Sequence, residues 1–488
     1  MATEIELKLS LPPGAARALA EHPLLRDLPA RRQLLVSTYY DTPQRDLAKK
    51  LVAVRWRRRG GRWWLTVKSA EPASGGLATR SEWEYPASPG NFDFSQVDHP
   101  KLRRHLEQCT EALTPVFTTR FRRTTWQVDY AGSRIELALD RGAIISGDRR
   151  QPMCEVELEL IEGEVPALFA LAQTLQQDLP LHLNGISKAE RGYALFCGTN
   201  ATPVRAAPCR LQPETPAREA FCRMALNCLD HLQRNEVGAR AAKDPEYLHQ
   251  ARIAVRRLRS CIQFFAPALP PEFVAEYGSA WRDFAHSLNA ARNWDVFAQD
   301  VLPALQRDFA DDRAVHRLAS TCRREGGQAR RAAARRFATP EYCRLLLAFS
   351  AALQSLFAEN QVNLGELIRK RYRKRDRQAR ELAKHARHLD DTQRHRLRIG
   401  LKKLRYILEF IPCDKGRKPY LAALGQLQEE LGRFNDHVTA LEMVAQALPA
   451  QRPGLIHGWL SGRRALLAEE LDTACRVWLA QQAPKKYW

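Results

Sequence analysis

The chain has 488 residues, a length at which one hydrophobic core usually gives way to several domains. Hydrophobic residues make up 45% and charged residues 27%, which is ordinary for a folded protein and excludes wholesale disorder. The formal net charge is +21: residues 201–488 carry 49 basic against 31 acidic side chains, whereas residues 1–200 carry 27 against 24. The basic second half implies an anionic partner, which could be nucleic acid, an anionic membrane surface or polyphosphate.

The N-terminal residues and the cysteines indicate the cellular compartment in which the protein is expected. Glu4 and Glu6 lie where a signal peptide would need a cationic and then an apolar stretch, and no later apolar run approaches ~18 residues. The eleven cysteines include no CxxC pair and form no dense framework. We therefore expect a cytoplasmic protein with reduced thiols that is neither exported nor membrane-spanning.

Residues 1–197 alternate between apolar and polar side chains. On the first segment Ile5, Leu7 and Leu9 oppose Glu4, Glu6 and Lys8. Similar short runs follow at 54–57, 63–68, 80–85, 119–128, 134–140 and 155–161, separated by turn-rich pieces. This pattern predicts an antiparallel sheet that is rolled or closed, with helices near 165–175 and 100–109.

A proline-rich segment at 199–216 predicts a linker between two regions, 1–198 and 217–488. Beyond it the apolar period changes to 3.6, which predicts an all-α domain of bundle type. We therefore expect an α+β chain with the strands in the first region and long helices in the second.

The helical region contains an internal repeat. One motif occurs twice, as His249-Gln-Ala-Arg252-Ile-Ala-Val-Arg256-Arg257-Leu-Arg259 and as His395-Arg-Leu-Arg398-Ile-Gly-Leu-Lys402-Lys403-Leu-Arg405. A second follows each copy, as Arg292-Asn-Trp-Asp295 and as Arg433-Phe-Asn-Asp436. This duplication predicts two tandem helical bundles, at about 217–350 and 351–488.

Several predicted strands carry a charged face. For a single strand, a solvated surface is the more common explanation. If the sheet closes, however, these faces line its interior, and glutamates beside arginines then form a site for a metal and an anion. Carboxylate oxygens suit Mg²⁺ or Mn²⁺, and Lys and Arg bind phosphate.

The N-terminal region begins with Glu4-Ile-Glu6-Leu-Lys8, an ExExK signature. With this signature and the stretches that follow it, residues 1–197 resemble the CYTH superfamily, the triphosphate tunnel metalloenzymes. The supporting stretches, in the order the family shows, are Tyr39-Tyr-Asp-Thr42, Ala53-Val-Arg55-Trp-Arg57, Trp64-Leu-Thr-Val-Lys68, Arg80-Ser-Glu82-Trp-Glu84, Arg123-Thr-Thr-Trp126, Glu136-Leu-Ala-Leu-Asp140, Glu155-Val-Glu157-Leu-Glu159 and Ser187-Lys188-Ala-Glu-Arg191.

The resemblance implies an eight-stranded tunnel and roles for named side chains. Catalysis would fall to Lys8 with Glu4 and Glu6. The implied metal ligands are Glu4, Glu6, Glu155 and Glu157, with Glu159 or Asp140 contributing. The implied phosphate-binding set is Lys8, Arg55, Arg57, Lys68, Arg80, Arg123, Lys188 and Arg191. Among Arg120, Arg122 and Arg123 the strand register decides which points inward, and Arg123 matches the family spacing to Trp126.

The helical region resembles the CHAD domain, whose members are associated with polyphosphate. Helical geometry places His249, Arg252, Arg256 and Arg259 within a stripe of about 80°, opposite an apolar face. His395, Arg398, Lys402 and Arg405 repeat it, and Arg257 and Lys403 extend the basic motifs. A solvated surface is the alternative for one such stripe. Metal chelation is disfavoured because neither motif has two histidines at i, i+4.

These resemblances imply metal-dependent hydrolysis of inorganic triphosphate or short polyphosphate, with polyphosphate bound by the helical domain and an association with polyphosphate granules. Alternatives are an organic triphosphate substrate or a non-catalytic polyphosphate receptor. Nucleic-acid binding predicts aromatic residues among the basic ones, and the stripes contain none, although Tyr406 and Phe264 lie nearby.

Overall fold

The structure is a computed structural model that describes residues 2–70, 77–198, 202–356, 362–409, 418–448 and 454–481. It divides into two compact units, Met1–Val204 with Thr339–Ser355 and Arg205–Ala338 with Leu356–Trp488. We call them the tunnel unit and the helical unit. No described helix is both long and apolar enough to cross a membrane.

The tunnel unit is built on antiparallel strands. They are β1 Ala2–Ser10, β2 Arg31–Asp41, β3 Val52–Arg59, β4 Arg62–Ala70, β5 Leu77–Pro86, β6 Thr114–Tyr130, β7 Ser133–Ser146, β8 Arg149–Glu162 and β9 His182–Leu183. The order is β5-β4-β3-β2-β6-β7-β8-β1-β9, and β1 also pairs with β5. The first eight strands therefore close on themselves, and the prediction of an eight-stranded antiparallel tunnel is confirmed.

The helices of the chain differ greatly in length. They are α1 Ala16–Ala20, α2 Asp46–Lys49, α3 Pro100–Cys109, α4 Val165–Asp178, α5 Lys188–Cys197, α6 Ala217–Ala241, α7 Pro245–Phe265, α8 Pro271–Ser287, α9 Asn289–Val296, α10 Leu302–Asp308, α11 Arg313–Arg336, α12 Pro340–Ser355, α13 Leu364–Lys384, α14 Asp391–Glu409, α15 Lys418–Ala447 and α16 Leu455–Ala480. Both predicted helices of the first region, α3 and α4, are present.

Part of the outer wall of the tunnel is covered by an apolar core. Outward side chains of β3, β4 and β5, among them Trp56, Val67 and Trp83, pack with Phe94 and Leu106 from the segment after β5. Burial on this outer side and charge on the inner side produce the alternation seen in the sequence.

Helix α5 lies against the inner wall near one end of the tunnel. The ring of Tyr193 meets the ring of Phe117 edge-on at 5.3 Å, and a Cβ at Gly192 would overlap that Phe117 ring. Glycine thus permits the helix to approach the wall closely. Ser187 caps the helix by accepting from Glu190 N, and Lys188 then projects from its first turn.

In the described part of the helical unit, the duplicated sequence motifs lie on corresponding helices. Helix α7 carries the first copy of the basic motif and α14 the second, while α9 and α15 carry the two copies of the second motif. Caps fix helix starts: Asp244 accepts from Glu246 N ahead of α7, and Asp312 accepts from Ala314 N ahead of α11. A π-helical turn, Phe297–Val301, joins α9 to α10.

Helix α12 packs within the tunnel unit, although it was expected to belong with the helical region because its apolar period is also 3.6. His182 of β9 lies 3.1 Å, Nδ1 to Sγ, from Cys343, and its ring lies 5.9 Å from that of Tyr342. Leu346 and Phe349 on the same helix are fully buried. Periodicity identifies a helix but not the surface on which it packs.

We expect Leu346→Ala to lower the stability of the tunnel unit by about 2–5 kcal/mol, because it opens a cavity beneath α12. Hydrogen exchange of the amides of α4 and β9 measures the effect, since these elements contact α12. Arg344→Ala on the exposed face of the same helix should change protection little. Unaltered exchange in the Leu346 variant would contradict the assignment of α12 to this unit.

Candidate active site

The charged faces of the strands line the interior of the tunnel. Register places Lys8 of β1 opposite Glu157 of β8, and Glu6 opposite Glu159. On the other side of β8, Asp140 of β7 lies opposite Glu155. Since side chains alternate along a strand, these opposed residues share one face of the sheet. Closure of the sheet makes that face internal.

One ionic network joins Lys188 of α5 to carboxylates of β7 and β8. Its Nζ lies 2.8 Å from Asp140, 3.1 Å from Glu155 and 2.6 Å from Glu157. All three carboxylates are buried. Burial by itself lowers the pKa of Lys188, but the three carboxylates outweigh it and raise the pKa. The ammonium group is therefore held charged by the acids around it.

Two arginines complete this network. Arg123 donates from Nε and Nη2 to both oxygens of Asp140, at 2.7 and 2.6 Å, and from Nη2 to Glu157 at 2.5 Å. Arg191 donates to Glu155. Burial by itself raises the pKa of Glu157, but Lys188, Arg123 and Lys8 hold it well below its usual range. The surrounding cations thus keep Glu157 ionised.

The register of β6 places Arg123 on the opposite face of the sheet from Arg120 and Arg122. Arg123 points into the tunnel, whereas Arg120 and Arg122 are exposed on the outside. Direct pairing between Arg123 and Asp140 on adjacent strands fixes this register.

A second network lies on β3, β4 and β5. Lys68 is 2.7 Å from Glu4 and 2.8 Å from Glu82, and Arg55 is 3.5 Å from Glu82. Burial by itself raises the pKa of Glu82, but Lys68 and Arg55 lower it overall. Arg55 also donates to the hydroxyl of Tyr39 at 3.1 Å.

Next to this network, Arg57 lies 3.6 Å from Glu84 and donates to Ser37 Oγ at 3.2 Å. Burial, together with the charge of Arg55, lowers the pKa of Arg57 to about 10. Thr66 donates to Glu84 at 3.0 Å.

Glu82 and Glu84 were not predicted as site residues, although both stood in a quoted motif. The alternation Glu82-Trp83-Glu84-Tyr85, with both aromatic side chains buried, was the signal that could have identified them. Arg80, which was predicted, pairs with Glu4 along the backbone, and its side chain lies outside the described residues.

Lys8 lies between the two networks. Its Nζ is 3.0 Å from Glu6 and 3.6 Å from Glu157, and the residue is 6% exposed. A buried ammonium between two carboxylates is held in place by both. Lys8 therefore links the carboxylates of β1 and β8 inside the tunnel.

Four carboxylates, those of Glu4, Glu6, Glu136 and Glu159, gather on β1, β7 and β8, where Glu4 also pairs with Lys68 and Glu6 with Lys8. Burial, together with repulsion from Glu4, Glu136 and Glu6, raises the pKa of Glu159 to about 7. Crowded carboxylate oxygens of this kind are the donor set that Mg²⁺ and Mn²⁺ prefer, so these residues fit a divalent cation. In the described part of the chain, however, no three acidic, His or Cys side chains have the geometry of a formed metal site.

The six predicted metal ligands are therefore divided by the fold. Asp140, Glu155 and Glu157 are bonded to Lys188, Arg123 and Arg191, whereas Glu4 and Glu6 pair with Lys68 and Lys8 and lie near Glu159. The metal roles of all six stay predictions.

In the helical unit, basic side chains from both repeats converge. Arg256 of α7 donates from Nε to the hydroxyl of Tyr406 on α14 at 2.6 Å, which joins the two motif helices. Burial, with the charges of Arg398 and Arg256, lowers the pKa of Lys402 to about 6. Burial and the charge of Arg292 lower the pKa of His249 to about 4. Both depressions of pKa therefore combine burial with the repulsion of neighbouring positive charges.

We call this group the helical cluster: His249, Arg252, Arg256, Arg292, Arg398 and Lys402. Arg292 was noted in a motif but not predicted as a ligand. Asp436 is the acid that acts on both Arg398 and Lys402, and its own pKa is raised because burial outweighs their charges.

The remaining predicted residues of this unit are placed differently. Arg257 donates to Asn227 on α6 at 3.1 Å, and Arg405 donates to Gln428 at 3.4 Å. His395 contacts Asn435 at 3.1 Å. The pKa values of Arg259 and Lys403 are lowered, first by burial and then by other arginines, which are Arg282 for the former and Arg375 and Arg371 for the latter.

Comparisons with known proteins match the two parts of the chain separately. A family model of the CYTH domain matches residues 2–193, and one of the CHAD domain matches residues 223–445. An inorganic triphosphatase of Haemophilus influenzae is 35% identical over 201 residues, which cover 40% of this chain and 55% of that protein. The chain thus spans about half the length of that relative. The crystal structure of the CHAD domain from Ricinus communis is 31% identical, covers 59% of this chain and 99% of that chain, and has a TM-score of 0.51.

We expect Lys188→Met to destabilise the tunnel unit by about 3–5 kcal/mol at pH 7.5, because it removes the charge shared by Asp140, Glu155 and Glu157. Without it, one carboxylate should take up a proton in the folded state, so its folded pKa rises above the unfolded value. The penalty should therefore shrink as pH falls to 5. Urea midpoints of parent and variant at both pH values test this.

The control for that experiment is Lys49→Met, which removes the charge of an exposed lysine. Its midpoint should stay close to that of the parent. A pH-independent deficit in the Lys188 variant would show that lost packing, and not unpaired charge, causes the instability.

Proposed function

This chain belongs to the CYTH family through its first domain and to the CHAD family through its second, and from that premise we propose that it hydrolyses inorganic triphosphate or a short linear polyphosphate. The reaction would take place inside the tunnel with Mg²⁺ or Mn²⁺. The curated relative, an inorganic triphosphatase, supports this substrate class. The helical unit would bind inorganic polyphosphate, and a cytoplasmic location, with association to polyphosphate granules, would follow.

The observation that carries the proposal is the mixed lining of the closed sheet. In the two networks Arg55, Arg57, Lys68 and Arg123 each have a carboxylate partner, which balances buried charge. A divalent metal and a triphosphate would enter as a pair of opposite charges. Carboxylates could then turn to the metal and basic groups to phosphate oxygens, leaving no buried charge unpaired.

The basic groups would bind and orient the phosphate chain. Arg55, Arg57 and Arg123 present planar guanidinium groups that can hold phosphate oxygens by two hydrogen bonds each, and Lys8 and Lys68 add point charges. Because α5 packs into one end of the tunnel, Lys188 faces the interior from that end. This arrangement suits recognition of the terminal phosphate of a linear chain.

Glu4, Glu6 and Glu159 would hold the metal, with Glu136 beside them. When bound, a divalent cation supplies charge neutralisation around the phosphorus that water attacks. The side chains of the lining contribute positioning and exclude bulk water, which strengthens each ionic contact. The general base stays open among the glutamates that do not hold metal.

Two alternatives remain for the tunnel. An organic triphosphate would use the same phosphate contacts. A non-catalytic receptor would capture chain ends without cleavage, and the presence of Glu4, Glu6 and Lys8 in one lining favours an enzyme over that alternative.

We expect Glu6→Gln to lower phosphate release from triphosphate by about a hundredfold or more, because the neutral amide ligates a divalent cation poorly. Chelation of metal should stop release by the parent, and added Mg²⁺ or Mn²⁺ should restore it. Glu162→Gln, which alters an exposed acid on the same strand as Glu159, should change the rate less than about twofold.

The outcome separates the alternatives. No release of phosphate by the parent with either metal would exclude the triphosphatase and favour the receptor. Faster release from an organic triphosphate than from the inorganic one would reassign the substrate.

Polyphosphate binding by the helical unit is supported by the excess of positive charge in the helical cluster. Like charges held together depress one another's proton affinity, and a polyanion relieves that repulsion. Tyr406 and Phe264 are buried, so neither offers a surface on which bases could stack. The cluster therefore favours a phosphate chain over nucleic acid.

We expect polyphosphate binding to strengthen as pH falls from about 8 to 6. Lys402, facing Arg398, Arg252, Arg256 and Asp436, has a pKa of about 6, so it is largely neutral at pH 8. A bound anion favours the ammonium form, so binding takes up a proton, and affinity rises by up to about tenfold per pH unit until Lys402 is charged without ligand.

Titrations of labelled polyphosphate at fixed ionic strength measure this dependence. Lys402→Gln should flatten the profile between pH 8 and 6, and Lys243→Gln, at an exposed lysine of the same unit, should not. A profile that is equally steep in both variants would assign the proton uptake to another group. His249 titrates lower, near pH 4, and lies outside this window.

A further inference from the structure

An array of arginines covers part of the outer wall of the tunnel. Its members, which we call the outer arginine patch, are Arg32, Arg58, Arg120, Arg122 and Arg141, and all five are exposed. They lie on four adjacent strands, β3, β2, β6 and β7, and none of them belongs to the networks inside the tunnel.

Strand register makes the patch continuous. Val36 of β2 pairs with Arg58 on one side and with Arg120 on the other. Arg122, two residues beyond Arg120, pairs directly with Arg141. Because neighbouring strands lie about 4.8 Å apart, the patch crosses about 14 Å of wall from β3 to β7.

The patch carries uncompensated charge. Within the part of the chain that the structure describes, no acidic side chain forms an ion pair with any of its five arginines. Other exposed arginines of this unit differ: Arg17 pairs with Glu21, Arg26 with Asp27, and Arg134 with Asp129 and Glu162.

Such an arrangement costs stability. Like charges directly opposite each other on paired strands, as at Arg122 and Arg141, are destabilising. A surface with no binding role could carry neutral or mixed side chains there at no loss to the core. The repulsion would be relieved by an anionic ligand.

We propose that the outer arginine patch binds a linear polyphosphate chain, as a site separate from both the tunnel interior and the helical cluster. The identity of the anion rests on the proposed function. The patch consists of arginine alone, and guanidinium groups hold phosphate oxygens bidentately.

The exposed large hydrophobic residue beside the patch is Leu34, which is 51% exposed and pairs with Arg122. No aromatic platform for nucleobases accompanies it on these strands in the described chain.

The site would hold part of a long substrate on the same unit that cleaves chain ends. A chain bound at the outer wall stays near the tunnel, which raises the local concentration of ends. Triphosphate itself is too short to need this site. Its effect should therefore appear with long chains only.

The test uses the full-length chain with Arg256→Ala and Arg398→Ala, which weaken the helical cluster. Binding of labelled long-chain polyphosphate is titrated at several salt concentrations. Adding Arg122→Glu and Arg141→Glu should weaken binding by about tenfold or more and reduce the slope of log affinity against log salt by roughly 1.4–1.8, for two lost phosphate contacts. Arg122→Gln with Arg141→Gln should act in the same direction without reversing charge.

The matched control is Arg26→Glu with Arg134→Glu, which makes the same change in net charge at two exposed arginines that have acidic partners. It should weaken binding less than about threefold. Equal weakening by the two pairs would overturn the proposal, because only net charge would then matter. Tighter binding of single-stranded RNA or an acidic peptide of equal charge, lost in the same variants, would overturn the polyphosphate assignment.

Triphosphate hydrolysis by the same variants separates this proposal from the proposed function. The Arg122 and Arg141 substitutions lie outside the tunnel, so the rate with triphosphate should stay within about twofold of the parent. A parent that releases no phosphate would refute the triphosphatase and leave the binding result to be judged by itself. Loss of hydrolysis only in the patch variants would place these arginines in the reaction and overturn their role as an outer site.

Discussion

A charged group taken out of water is strongly destabilising unless an opposite charge meets it, and the tunnel unit is organised around that constraint. Its closed sheet turns one face of every strand inward, and that face holds lysines, arginines, glutamates and an aspartate. Lys188 forms ion pairs with three carboxylates, and Arg123 links two strands by pairing with Asp140 and Glu157. Pairing of this kind offsets the cost of burying both signs of charge inside the protein.

Among the described residues of the helical unit, positive charge is not balanced by carboxylates to the same extent. In the helical cluster, positive groups from two repeats stand together near Asp436, and burial, together with their mutual repulsion, depresses the pKa of Lys402 and of His249. The tunnel balances its charge internally, whereas the cluster leaves an excess that a ligand would balance. The first arrangement suits chemistry on a metal-bound substrate, and the second suits retention of a polyanion.

Alternation of side chains allowed much of the site to be predicted. Glu4, Glu6 and Lys8 share a face because they are two residues apart, and the same reasoning applies to Glu155, Glu157 and Glu159. The same alternation places Glu82 and Glu84 on one face, but their partners Lys68, Arg55 and Arg57 come from strands that pair only after folding, so these glutamates were not predicted as site residues. Nor could it decide among Arg120, Arg122 and Arg123, since a shift of one residue exchanges the inner and outer faces.

The amino-acid sequence by itself determined the two classes of structure, the strand faces that carry charge, the duplicated basic motifs and the family resemblances, because these depend on residue type and on spacing along the chain. Only the tertiary structure decided which charges meet. It paired Lys188 with three acids, brought the α7 and α14 motifs together through Arg256 and Tyr406, and packed α12 into the tunnel unit. The physical reason is that periodicity records which side of an element is buried or charged, whereas contact between elements depends on register and packing, which no local pattern contains.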